Sequence, residues 1–163
     1  MSLTKEVYQA YCDILKEELR LAMGCTEPIA IAYSASIARS YLIAEPTEIC
    51  IGLSGNIIKN TKSVVVPATG GMHGIAAAVA AGTVANKPEL VLEVLSSLTE
   101  ADVPKMKALI ETCPIEVGEL DTTHIFEILI QMKNESEEVK VRLLDRHTNL
   151  VYVEKNGEVL VRN

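Results

Sequence analysis

The stretch HIFEILIQMKNESEEVKVRLLDRHTNLVYVEKNGEVLVR, His124 to Arg162, decides the fold. Apolar and polar residues alternate along it over His124–Met132, Val139–Leu144 and Leu150–Glu154, the two-residue period of strands with one face buried. Asn156-Gly157 lies between the last of these runs and Glu158–Arg162, and Asn-Gly is a strong hairpin signal because both residues tolerate positive φ. Ile115–Val117 starts the alternation directly after Pro114, where the period changes from helical to strand-like. Antiparallel strands gathered behind a helical region predict an α+β fold, with N-terminal helices packed on a mixed, largely antiparallel sheet.

Upstream, Val7, Tyr11, Ile14, Leu15 and Ala22 fall on one helical face and predict a helix from about Thr4 to Leu21, stopping at Gly24. A second helix begins near Thr26, where the hydroxyl is suited to capping and Pro28 to the first turn. Its small residues, Ala30, Ala32, Ser34, Ala35, Ser36 and Ala38, allow a neighbour to approach closely. Thr47–Leu53 reads as a half-buried strand with Ile49, Ile51 and Leu53 inward. "SGNIIKN" (54–60) carries turn chemistry, and Ser63–Val66 is a short β-branched run. "PATGGMHG" (67–74) is a glycine-rich loop feeding an Ala-rich helix from about Ile75 to Ala85. Pro88 opens a further helix to about Leu98. Thr99 and Asp102 have capping-box spacing before a helix that ends near Thr112.

The chain has 163 residues, 48% of them hydrophobic and only 4% aromatic, so a single α+β domain over 1–163 with an aliphatic core is expected. A net charge of -7 with no basic patch argues against nucleic-acid partners. No apolar run reaches the ~20 residues of a membrane span, and charges interrupt the N-terminal stretch where a signal peptide would lie. The four cysteines, Cys12, Cys25, Cys50 and Cys113, form no C-x-x-C pair. A reduced, cytoplasmic protein follows, with Cys12, Cys50 and Cys113 read as small buried hydrophobes.

Chemistry gathers in the loops. Cys25 lies at a helix N-terminus, where free N–H groups and the dipole favour thiolate and can hold a carboxylate. Its pKa is expected to fall below the ~8.5 of a free thiol, with Glu27 turned to solvent. The plainer alternative is that Thr26 caps the helix and Cys25 packs inside. Thr69, Gly70 and Gly71 offer backbone N–H groups to a small anion, in a loop that is neither Walker A nor G-x-G-x-x-G and that also serves as a tight turn. Asn56, Lys59 and Asn60 follow a strand, and Lys59 is suited to a substrate carboxylate. His147 sits in the polar turn "DRHTN" (145–149), either as an anion donor or exposed. His73 reads as a solvated loop residue. The local features reach as far as a small-anion site at helix N-termini.

Together, "GCTEPIAIAY", "SGNIIKN", "VVVPATGG" and "HTNLVYVEKNGE", in this order and spacing, resemble the L-cysteine desulfidase family, relatives of iron–sulfur L-serine dehydratases. Ala68 stands in place of the glycine of "VPGTGG", and Leu150 in place of isoleucine. The resemblance implies a lyase that forms pyruvate from L-cysteine, releasing ammonia and sulfide, or from L-serine, with a 4Fe-4S cluster as Lewis acid. It implies Cys25 as catalytic base or cluster neighbour, with Thr26, Glu27, Asn56, Lys59, Thr69, Gly70, Gly71, His147, Thr148 and Asn149 binding the amino acid. Members of that family are longer, with their other cluster cysteines in a helical region beyond this chain's end. The chain is then expected to be the N-terminal part of such an enzyme, or a stand-alone relative, binding no cluster and inactive by itself. An amino-acid-binding regulatory domain and a structural subunit are the alternatives. A homo-oligomer and the choice between cysteine and serine are left open.

Overall fold

The computed structural model describes residues 4–18 and 24–163. Helix α1 spans Lys5–Glu18, α2 Thr26–Ser40, α3 Gly55–Thr61, α4 Ile75–Ala85 and α5 Val103–Thr112. The strands are β1 Glu48–Leu53, β2 Ile115–Glu119, β3 Glu127–Lys133, β4 Glu138–Leu144, β5 Leu150–Lys155 and β6 Glu158–Arg162. The expected end of the first helix at Leu21, with Ala22 on its apolar face, lies outside the described residues. Among those residues no helix is long and apolar enough to cross a membrane.

The strands form one sheet of order β2-β1-β3-β4-β5-β6. All neighbours are antiparallel except β1 and β2, which pair in parallel with Ile49 opposite Ile115. That parallel pair needs a long crossover, here everything from α3 to α5. The fold is α+β, as the change of period near Pro114 requires. Alternation puts Ile49, Ile51 and Leu53 of β1, Ile128, Ile130 and Met132 of β3, and Val139, Val141 and Leu143 of β4 on one buried face. The opposite face carries ion pairs instead, such as Lys133–Glu48 at 3.0 Å and Lys140–Glu154 at 3.2 Å.

Helix α2 lies between the sheet, where it meets β3 and β4, and α4, on which α5 packs in turn. It is buried from Pro28 to Ala38. Its small side chains let the helices meet backbone to backbone: a Cβ on Gly82 of α4 would lie 1.9 Å from the Ala32 carbonyl oxygen. The loop after α2 is fixed by Glu137, whose carboxylate accepts the Ile43 N–H at 3.0 Å and the Lys155 ammonium at 2.9 Å.

Several expectations are corrected. "SGNIIKN" forms α3 rather than a turn, because helical winding buries Ile57 and Thr61 on one side. Ser63–Val66 makes only a single bridge, Val65 with His73. Pro88 opens a 3₁₀ turn over Pro88–Glu93, kinked at Val91 with φ 52, and not a helix to Leu98. The kink accompanies burial of Leu92, Val94 and Leu95, which no single helical face would achieve. Of the three cysteines expected inside, only Cys113 is buried; Cys12 and Cys50 are half-buried. Cys50 alternates onto the open sheet face, beside Glu48 and Glu116. The capping box at Thr99 and Asp102 forms as expected.

Candidate functional site

The polar loops lie at one end of the sheet, since Leu53 pairs with Ile128, Ile128 with Leu143, and Leu143 with Leu150. The N-terminus of α2 reaches the same end. Cys25 is the N-cap, in extended conformation, and no side chain caps the helix. Thr26 is therefore not the cap; its hydroxyl donates to Glu27 Oε2 at 3.3 Å. The Cys25 thiol donates to the same oxygen at 3.2 Å. Glu27 has folded back over the helix mouth, so the protein's own carboxylate sits at the anion-binding end of α2.

This arrangement reverses the expected ionisation of Cys25. Partial burial and the hydrogen bond to Glu27 push the thiol up, together with the carboxylate's negative charge, and outweigh the Glu27 N–H that favours thiolate. For Glu27, partial burial acts to raise the pKa. The Cys25 hydrogen bond, its own N–H, the attraction of His147 and the Thr26 hydroxyl together lower it. The proton therefore rests on sulfur and the charge on carboxylate at neutral pH.

His147 completes the cluster from the β4–β5 turn. Its ring packs on Phe126, with centroids 4.6 Å apart and planes at 51°. Burial lowers its pKa, against the attraction of Glu27. Its Nε2 is buried and has no hydrogen-bond partner. A buried ring nitrogen without a partner is unusual, and a ligand group is one way to satisfy it. Sequence reasoning passed over Phe126, which is the chain's only phenylalanine. Pro67 was overlooked too: a Cβ on Gly24 would lie 3.3 Å from its ring, which brings the "PATGG" loop against the α2 mouth.

The other expected residues are placed differently. Thr69 is buried and spends its hydroxyl inside its own loop, on the Val66 carbonyl at 2.7 Å. Gly70 faces Val103 at the start of α5, while Gly71 is exposed at φ 91. Ala68, where a glycine was expected, adopts φ 60, a region glycine occupies without strain. Asn56 and Lys59 are exposed on α3. Asn149 donates its amide to the Leu144 carbonyl at 2.9 Å and closes the turn that carries His147. Thr148 is half-buried in that turn. The structure thus brings together Cys25, Thr26, Glu27 and His147, and leaves the rest as scaffold or surface.

Among the described residues no three His, Cys, Asp or Glu side chains are grouped to hold a metal ion. The cysteines lie on α1, at the α2 mouth, on β1 and at the end of α5. Set on four separate elements, the cysteines among the described residues do not fit a 4Fe-4S cluster.

No protein-family model matches the chain. It is 49% identical over 153 residues to a UPF0597 protein of Desulfitobacterium hafniense, covering 94% of this chain and 36% of that protein. Over 151 residues it is 44% identical to a UPF0597 protein of Finegoldia magna, covering 92% and 36%. A UPF0597 protein of Treponema denticola is 41% identical over 160 residues, covering 98% and 37%. The chain thus spans little more than a third of the length of the curated relatives it matches. The assignment of the four motifs to the L-cysteine desulfidase family is corrected by these matches: these relatives, similar across nearly the whole of this chain, bear the name UPF0597, which states no activity.

Proposed function

We propose that the mouth of α2 is an amino-acid site, and that the chain is part of a cytoplasmic lyase that deaminates L-cysteine or L-serine. The observation supporting this reading is the grouping of a thiol, a carboxylate and a partly buried imidazole, from Cys25, Glu27 and His147, at one helix N-terminus. Glu27 receives the substrate ammonium. The Nε2 of His147, which has no partner in the protein, orients the carboxylate. For Cys25 to act as base, its exposed thiol first gives its proton to solvent while Glu27 stays ionised on the ammonium, and the thiolate then takes the α-proton. Loss of hydrosulfide or hydroxide from the β-carbon gives aminoacrylate, which tautomerises to the imine and adds water to give pyruvate and ammonia.

Calorimetric titration of the chain with L-cysteine and L-serine tests the site. Saturable binding that weakens at least ~10-fold in Glu27→Gln and in His147→Asn is expected, a loss of about 1.4 kcal/mol. Binding of neither amino acid removes the reading. Pyruvate release by the longer Desulfitobacterium hafniense relative tests the lyase. A second reading, a non-catalytic amino-acid-binding regulatory domain, is favoured by one observation: the Cys25 thiol is spent as a donor to the Glu27 carboxylate at 3.2 Å, an arrangement that favours the thiol over the thiolate a base would need. Binding without pyruvate release selects it.

A further inference from the structure

We propose that a second small-molecule site lies at the C-terminal end of α2 and takes a free α-amino acid with an apolar side chain. A cavity of about 540 Å³ opens there between the ends of α2 and α4 and the flank of α5. Its size falls in the range of ligand sites, roughly 300–1,000 Å³. Its chemistry is set by Arg39, whose side chain is only 13% exposed while that of its partner Glu45 is 74% exposed. Arg39 Nη1 donates to the Leu42 carbonyl at 3.0 Å and Nη2 to Glu45 Oε1 at 2.9 Å. A well-buried guanidinium is thus paired with a carboxylate standing in solvent, where the pair contributes little.

An amino acid resolves this arrangement as no simpler ion does. Its carboxylate takes the guanidinium fork, and its ammonium takes the released Glu45, so every charge keeps a partner. Lys105 also lines the cavity but is held by Asp102 at 2.8 Å, so a simple carboxylate on Arg39 would leave Glu45 to compete with Asp102 for it, and a simple amine would face Arg39. The threonines point the same way. Thr83 donates its hydroxyl to the Val79 carbonyl and Thr112 to the Ala108 carbonyl, both at 2.8 Å. Each therefore offers the cavity lone pairs, which accept from an ammonium group. Val84, Leu109 and Pro46 supply an apolar wall for the side chain. The inference does not rest on the proposed lyase site: the two share no residue, and Glu27 and Arg39 stand twelve residues apart on α2, about 18 Å at helical rise.

The test is titration of the isotopically labelled full chain with L-leucine, read by amide chemical shifts. The expected result is saturable shifts around Arg39, Thr83 and Leu109 with half-saturation near ~1 mM. The carboxylate-only analogue 4-methylpentanoate and the amine-only analogue isoamylamine are each expected to bind at least ~10-fold more weakly. Arg39→Met abolishes the shifts. Ala108→Phe, on the exposed side of α5, fills the cavity without touching the bonds of Arg39 and does the same, so it carries the test if Arg39→Met fails to fold. Glu27→Gln leaves the leucine shifts in place. The proposal is overturned by absence of saturable shifts, by equal binding of either analogue, or by leucine binding that survives Ala108→Phe. Shifts confined to Cys25, Glu27 and His147 overturn it too, while leaving the first site standing.

Discussion

At the scale of single residues, Cys25 and Glu137 show how a neighbour sets a proton's affinity. Glu27 accepts the Cys25 thiol and keeps it protonated. Iodoacetamide alkylation of Cys25 against pH is therefore expected to inflect above the ~8.5 of a free thiol. Glu27→Gln, which removes the negative charge, moves the inflection down; an unchanged or higher inflection in that variant would contradict the geometry. Glu137 is the opposite case. Lys155 and Asn134 hydrogen bonds, with the Ala44 and Ile43 N–H groups, outweigh desolvation and hold its carboxyl down at about 2. An unfolded Glu ionises near ~4.3, so the unfolded chain takes the proton first. The stabilisation is full above that value and is lost as the pH falls from about 4.3 towards 2. Thermal midpoints measured from pH 5 to 2.5 should fall more steeply for the natural chain than for Glu137→Gln, which starts lower at pH 5.

Among the elements, the α2–α4 crossing is the contact least able to yield. A Cβ at Gly82 would meet a backbone oxygen, which no rotamer change can relieve. Gly82→Ala is expected to cost about 3 kcal/mol by forcing the helices apart, read as a lower urea midpoint with unchanged slope. Gly52 makes a useful contrast. There the obstacle is the Leu120 side chain, whose tip can rotate away, so Gly52→Ala should cost much less in the same experiment. The β5–β6 hairpin turns on Asn156 at φ 51 and Gly157 at φ 83. Gly157→Ala is expected to destabilise by about 1 kcal/mol, because the added Cβ disfavours the left-handed region.

For the molecule as a whole, α2 is a single buried rod with a different chemistry at each end. Its N-terminus carries Cys25 and Glu27, and its C-terminus carries Arg39 beside a separate cavity. Substitutions about 18 Å apart with no shared partner should add. The double variant Glu27→Gln with Arg39→Met is expected to lose stability equal to the two single losses within about 0.5 kcal/mol. A larger coupling, measured by denaturant unfolding of all four proteins, would show that α2 transmits strain between its ends.

The strands after Pro114, the Ala-rich helix from Ile75 to Ala85 and the hairpin at Asn156-Gly157 were legible in the sequence, because hydrophobic period and turn residues act over a few positions. The place of Cys25 at a helix mouth was also legible in the sequence, since Gly24 favours a stop and Thr26-Glu27-Pro28 suits the first turn of a helix. Tertiary structure decided the rest. Burial of Ile57 made a helix of a stretch whose glycine and asparagines favour a turn, and the sheet's end brought His147 to Glu27 across more than a hundred residues of chain. The side on which Glu27 folds, and with it the protonation of Cys25, follows from hydrogen bonds and burial that arise only when the loops meet. Short-range pattern reports which backbone a residue adopts, whereas the energy of a charge depends on everything around it in space.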